Sequence, residues 1–201
     1  MSQGGLFDDE PIELLPVDPS ASFHGTAFAE AEARSLFERL QEEIPWEQRQ
    51  VRMFGKWIDQ PRLVAWFGDS DAPYTYSGLT LKPHPWTPTV EECRRRCEAL
   101  AGVSFNSGLA NLYRTGQDTV GWHSDDEPEL GDEPVIASVS FGATRRFDLR
   151  HKSGEPTIKA DLVPGSVLIM SGRCQSHWKH QVARTKRVDG PRINLTFRRL
   201  G

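Results

Sequence analysis

The sequence predicts a mainly β fold with α buttresses, a double-sheet jelly roll built as one domain. Three observations predict it. From about Leu109 onward, short strand-like segments follow one another with turn chemistry between them. Helical periodicity is confined to the N-terminal half. The chain of 201 residues, 37% hydrophobic and 26% charged, is long enough to bury one sizeable core.

Residues 1–22 are rich in Pro, Gly, Ser and acids and read as a flexible tail ahead of a domain over 23–201. Over Thr26–Glu43 the apolar positions Ala29, Ala33, Leu36, Phe37 and Leu40 keep a helical period, closed by Pro45. A β-rich stretch containing Arg52-Met53-Phe54-Gly55-Lys56-Trp57 follows. Thr89-Val90-Glu91-Glu92 reads as a capping box that opens a helix, and Gly102 stops it. That helix carries Cys93, Cys97 and Leu100 toward a core. Strands then follow over Leu109–Arg114, Val135–Phe141, Arg145–His151, Thr157–Leu162, Ser166–Met170, His180–Ala183 and Arg192–Arg198. Thr115-Gly116, Gly142-Ala143, Ser153-Gly154, Pro164-Gly165 and Asp189-Gly190 turn the chain between them.

Composition excludes several classes. No apolar run approaches the roughly 18 residues of a membrane span, and the N-terminus lacks a basic start and an apolar segment, so a cytoplasmic protein (nuclear in a eukaryote) is expected. The three cysteines have no zinc-finger spacing and read as reduced thiols. The net charge of −4 is unevenly spread: residues 143–201 carry 13 Lys+Arg against 4 Asp+Glu. A basic surface of that kind attracts phosphates, unless carboxylates from the first half pair with it.

The chemistry concentrates late in the chain. His123 and Asp125 are two apart, so on extended backbone one metal can take both side chains. His177 and His180 compete for a third position; His180 opens an alternating, strand-like stretch and His177 lies in the approach to it. Two imidazoles and one carboxylate are the ligand set of a non-haem Fe(II) site, which leaves one face of the metal open for a cosubstrate and O₂. Arg192 and Arg198 follow on a strand that can aim both into the same pocket, at an anionic cosubstrate.

Asn111-Leu112-Tyr113, His123-Ser124-Asp125-Asp126-Glu127, Ala137-Ser138-Val139-Ser140-Phe141-Gly142, His180 and Pro191-Arg192-Ile193-Asn194-Leu195-Thr196-Phe197-Arg198 resemble the AlkB family. These are Fe(II)/2-oxoglutarate dioxygenases that demethylate nucleic-acid bases, and the resemblance is closest to the branch that repairs alkylated DNA. It covers about residues 45–200. It implies a double-stranded β-helix, with an N-terminal nucleotide-recognition lid inside about residues 45–105 and the jelly-roll core over 106–201. It assigns the third ligand to His180, so that His123, Asp125 and His180 form the metal-binding and catalytic set, with His177 behind the ligands or on the substrate side. Asn111, Tyr113, Arg192, Asn194 and Arg198 would hold 2-oxoglutarate, a diacid that suits two cationic anchors.

The same resemblance outlines a nucleic-acid face. Asp126 and Glu127 would favour cationic 1-methyladenine and 3-methylcytosine over neutral bases. Tyr76, with Ser77 beside it, would stack on an extruded base opposite the His123 ring. Phe54, at the tip of Met53-Phe54-Gly55-Lys56, would fill the gap left in a duplex, and Arg62 would contact DNA. Lys152, Lys179, Arg184, Lys186 and Arg187 are candidate phosphate contacts. Gln3-Gly4-Gly5-Leu6-Phe7 resembles the short peptide that docks on bacterial sliding clamps.

The function expected is oxidative demethylation of DNA by a monomer, with Fe(II), O₂ and 2-oxoglutarate, releasing succinate, CO₂ and formaldehyde. RNA demethylation is the alternative within the family. A jelly-roll hydroxylase of a protein or small molecule fits the paired acids and basic C-terminal half less well. A catalytically silent nucleic-acid binder has no use for the triad and both arginines.

Overall fold

The computed structural model describes residues 10–18, 20–53, 55–69, 74–76 and 79–201. In chain order the elements are β1 (Ile12–Glu13), β2 (Ala21–His24), α1 (Glu30–Glu43), β3 (Glu47–Met53), β4 (Lys56–Gly68), β5 (Tyr74–Tyr76), β6 (Leu79–Leu81), α2 (Pro88–Ala101), β7 (Ser107–Tyr113) and β8 (Val120–His123). A 3-10 turn (Pro128–Leu130) precedes β9 (Ile136–Gly142), β10 (Arg145–His151), β11 (Thr157–Leu162), β12 (Val167–Met170), the one-turn helix α3 (Cys174–His177), β13 (Trp178–Val182) and β14 (Arg192–Arg198).

The strands form a major sheet in the order β1-β2-β12-β9-β14-β7-β4-β3 and a minor sheet in the order β11-β10-β13-β8, while β5 and β6 pair apart from both. Pairing within the two sheets is antiparallel. The sheets face each other: Tyr113, Ile136 and Met170 from the major sheet share one apolar cluster with Phe147, Leu149, Trp178 and Val182 from the minor one. This is the expected jelly roll. On the other side of the major sheet, Ala33, Leu36 and Leu40 of α1 and Val90, Cys93 and Cys97 of α2 pack on Val139, Phe141, Ile193, Leu195 and Phe197. Burial pushes the thiols of Cys93 and Cys97 up, and that of Cys174 up to about 12, as inert reduced cysteines require. No helix among the described residues is long and apolar enough to cross a membrane.

Three boundaries differ from expectation. The tail is shorter than 1–22: β1 pairs with β2, and β2 with β12. Leu15 and Ala21 are buried, and one carboxylate oxygen of Glu13 accepts from the N–H groups of Leu15 (2.9 Å) and Ala21 (2.8 Å). The Pro- and acid-rich composition hid two apolar anchors. Helix α1 starts at Glu30, not Thr26, because Ala27 and Phe28 are drawn into the core and the Phe28 N–H donates to Gly165 O at 3.0 Å. Helix α2 is capped by Thr87, whose hydroxyl accepts from the Val90 N–H, with Pro88 preset at the first helical position. The expected capping residue, Thr89, lies inside the helix, where Glu43 accepts from its N–H at 3.2 Å. Gly102 does end α2, in the left-handed region at φ 69°. Within residues 45–105, β3 and β4 form a hairpin that extends the major sheet, and α2 is a buttress packed on the core.

Candidate metal and cosubstrate site

Register brings the ligands together. His180 on β13 is the direct cross-strand partner of His123 on β8. Their rings lie 4.2 Å apart, and His123 Nε2 is 3.7 Å from Asp125 Oδ1. One ligand atom each from His123, Asp125 and His180 falls within 4.8 Å of the others. The Gly121 carbonyl takes the proton on His123 Nδ1 at 2.8 Å, which leaves the Nε2 lone pair free for a metal. Burial drives His180 down to about 3, with His123 adding to the effect, so its imidazole is neutral, as a ligand must be. Burial alone would raise Asp125. Arg198 above all, then His180 and His123, outweighs it and holds the carboxyl at about 2. Arg198 Nη2 donates to Asp125 Oδ2 at 2.8 Å and leaves Oδ1 toward the imidazoles.

The wall beside this group is the inner face of β14, β9 and β7. Arg192, Asn194, Thr196 and Arg198 line a cavity of about 60 Å³ with Asn111, Tyr113 and all three metal-ligand candidates. Arg192 is 1% exposed. Its Nη2 donates to Ser140 Oγ at 2.9 Å, but its Nε and Nη1 are buried with no hydrogen-bond partner among the described residues. Burial lowers this guanidinium to about 10, Arg145 contributes, and Tyr113 opposes the shift, so it stays cationic at neutral pH. Two orphaned donors on a buried cation beside a His–Asp–His group are what an anionic cosubstrate would satisfy. By that observation the residues fit both Fe(II) and 2-oxoglutarate.

The other cosubstrate candidates divide. Asn194 donates to Ser138 Oγ (2.8 Å) and Val139 O (3.0 Å), and its own oxygen accepts from Thr196 Oγ1 (3.0 Å). Its amide braces the wall and is already engaged. The Asn111 oxygen accepts from Arg62 Nε at 2.7 Å, which ties Arg62 on β4 into the wall of this cavity.

A second cavity, of about 570 Å³, opens over His123 and Asp125 between the β3–β4 hairpin and β8. Arg62, Trp122, Glu127 and Arg198 line it. The two acids expected side by side separate here. Glu127 stays in the cavity wall, whereas Asp126 is exposed and meets Lys152 at 3.4 Å. Lys152 also donates to Gln175 O at 2.9 Å, so this candidate phosphate contact is engaged within the protein. His177, at the end of α3, lies outside the metal group and faces Asp18 at 3.6 Å. Tyr76 belongs to β5, with its side chain outside the description; Phe54, Ser77 and Gln3–Phe7 lie outside the described residues.

Some residues of the site carry no signal in the sequence. The Gln175 oxygen accepts from the Asp125 N–H at 2.9 Å, and Ser124 Oγ donates to Trp178 O at 2.9 Å. Together they fix the turn that aims Asp125 at the histidines. Only the adjacency of Ser124 to the ligands pointed to it, and nothing pointed to Gln175.

Residues 21–198 match the model of the 2OG-Fe(II) oxygenase superfamily. The chain is similar to the bovine alpha-ketoglutarate-dependent dioxygenase alkB homolog 3, 47% identical over 83% of this chain and 61% of that protein. It is also similar to the human DNA oxidative demethylase ALKBH2, 41% identical over 86% of this chain and 70% of that protein. This chain thus spans about three fifths of the alkB homolog 3 proteins it matches. Among solved structures, that of OsALKBH1 has the same fold, with a TM-score of 0.69 at 21% identity over 92% of this chain and 100% of the other. The matched span and the His–Asp–His group beside a buried, under-satisfied arginine together place this chain in the AlkB family of the 2OG-Fe(II) oxygenase superfamily, whose members use Fe(II), 2-oxoglutarate and O₂.

Proposed function

We propose that this chain removes N-alkyl groups from bases in DNA, with 1-methyladenine and 3-methylcytosine as substrates. The observation that carries the reading is the 570 Å³ cavity that opens on His123 and Asp125 with a carboxylate, Glu127, in its wall. A cavity of that size admits one extruded base. Glu127 supplies the negative charge that favours a cationic methylated base over a neutral one. The name of the human relative, DNA oxidative demethylase ALKBH2, agrees with DNA as the substrate.

His123, Asp125 and His180 would hold Fe(II) from one side. When bound, Fe(II) with 2-oxoglutarate and O₂ supplies hydroxylation of the N-methyl carbon, after which the base is released with formaldehyde, succinate and CO₂. The remaining work is done by the chain. Arg192 would hold a carboxylate of 2-oxoglutarate through its two unpaired donors, with Tyr113 and Asn111 adding neutral ones. Arg198 neutralises Asp125 and keeps it ionised. The apolar Phe147, stacked 5.1 Å from His180, and Met170 limit water in the chamber. Phe54, Tyr76 and Ser77 as base-handling residues belong to the same proposal. So do a monomeric state, a cytoplasmic or nuclear location and clamp docking through Gln3–Phe7. Deletion of residues 1–10 with unchanged clamp pull-down removes the last.

The test is formaldehyde release from matched single- and double-stranded oligonucleotides carrying one 1-methyladenine or 3-methylcytosine. Release that requires 2-oxoglutarate is the expected result. Slow 2-oxoglutarate consumption with no release from any DNA would overturn the substrate and move it to RNA or protein.

A further inference from the structure

We propose that the N-terminal segment around Asp18 supports the metal site: Asp18 latches the one-turn helix α3, and α3 in turn aims Asp125 at the histidines. Asp18 is thus a positioning residue. The proposal rests on His123, Asp125 and His180 as the metal ligands and is indifferent to which base is the substrate.

Asp125 lies beyond the end of β8, so no strand pairing fixes it. Its turn is anchored at two points, by its own N–H on the Gln175 side chain and by Ser124 on the Trp178 carbonyl. Both anchors sit on one short stretch, residues 174–178. A four-residue helix is not stable by itself, because one turn fixes several residues for very few hydrogen bonds. Contacts from elsewhere must hold it. Lys152, just after β10, supplies one set: its N–H donates to His177 O at 2.7 Å and its ammonium to Gln175 O at 2.9 Å.

The N-terminal segment supplies the other. Ser20 and Ser171 exchange backbone hydrogen bonds at 3.1 and 3.4 Å, and Trp178 Nε1 donates to Val17 O at 3.3 Å. Asp18, in the same segment, meets two imidazoles. With the Ser153 N–H donating to His151 Nδ1, the neutral His151 ring carries its proton on Nε2 and donates it to Asp18 Oδ2 at 3.2 Å. Asp18 Oδ1 lies 3.6 Å from His177 Nδ1, a buried nitrogen with no hydrogen-bond partner among the described residues. One carboxylate therefore ties β10 to the last residue of α3. The backbone is committed to this contact. Asp18 has φ 47°, the one non-glycine in the left-handed region among the described residues, a conformation that persists only where its surroundings hold it.

The test is Mn(II) affinity by calorimetric titration of the full chain, below its unfolding transition. Asp18→Gly removes the carboxylate at a φ that glycine adopts freely, so the thermal midpoint should change little. Its Mn(II) affinity should fall about fivefold, less than for a residue that touches a ligand directly. Asp18→Asn keeps an oxygen acceptor and tolerates the left-handed backbone, and should restore most of that affinity. In a Gln175→Ala background, Asp18→Gly should cost less than about twofold more, because the route through α3 is already cut. Leu40→Ala, in the helix layer, should lower the midpoint and leave Mn(II) affinity unchanged, which separates the latch from general loss of stability. Undiminished affinity in Asp18→Gly, or its full loss repeated on top of Gln175→Ala, overturns the latch. Native protein that binds no Mn(II) overturns the ligand assignment, and the latch falls with it.

Discussion

The two faces of the major sheet are made by the same strands and do opposite work. On β14, Ile193, Leu195 and Phe197 are fully buried against the helices, while Arg192, Asn194, Thr196 and Arg198 line the chamber. On β9, Ala137, Val139 and Phe141 face the helices, and Ser138 and Ser140 face inward. On β7, Ala110 and Leu112 alternate with Asn111 and Tyr113. Slipping a strand by one residue would exchange the two sets, so the apolar outer face fixes the register that aims the polar inner one. Two buried arginines show the same division. Arg145 donates to the carbonyls of Thr115, Asp118 and Ala183 and staples a loop to β13. Arg192, equally buried, keeps two donors unpaired. The first is satisfied by the fold, and the second leaves donors for the proposed cosubstrate.

The largest expected effect breaks the inner face alone. His123→Ala, Asp125→Ala or His180→Ala should abolish turnover and metal binding by calorimetry while the fold persists; His177→Ala should be far milder, and equal loss would overturn the choice of His180. Next, Phe197→Ala breaks the outer face and should cost about 3–5 kcal/mol in urea unfolding, with the folded fraction still binding metal. The arginine pair sharpens the comparison. Arg145→Met should lower stability by about 1–3 kcal/mol, because buried carbonyls lose their donor, whereas Arg192→Met should hold or raise the thermal midpoint and abolish 2-oxoglutarate binding. Gln175→Ala should weaken metal affinity by about 10- to 100-fold through the loosened Asp125 turn. The smallest effect is on pH dependence. Asp125 is depressed to about 2, so its ion pair with Arg198 contributes stability that is fully present above the ordinary carboxylate range. That share is lost as pH falls through about 2, and Asp125→Asn should flatten this limb of an acid titration followed by circular dichroism.

The His123–Asp125 pair and the arginines were legible because they obey backbone arithmetic, whereas the choice of His180 over His177 came from the family resemblance. His123 and Asp125 sit two apart, and Arg192 and Arg198 fall on the polar parity of a strand whose other parity is wholly apolar. Seven of the strands from Leu109 onward were legible for the same reason, since turn residues mark their ends, but β8 (Val120–His123) was not among those expected. Contacts made across long separations were not. Gln175 reaches Asp125 across fifty residues of chain, and no local pattern marks it. Asp126 looked equivalent to Glu127, yet the turn after β8 sends one to Lys152 and the other into the cavity. Asn194 shared the parity of Arg192, but its neighbours Ser138 and Thr196 engage its amide. The Leu15 anchor was masked by the prolines and acids around it.

The most direct test of this division of labour is calorimetric titration of 2-oxoglutarate into Mn(II)-loaded protein, native and Arg192→Met, with thermal midpoints measured on the same samples. One cosubstrate per chain in the native protein, none in the variant and no drop in midpoint is the predicted result. Equal binding by both, or loss of binding only alongside unfolding, would contradict the claim that Arg192 is held by the fold for a ligand the fold does not supply.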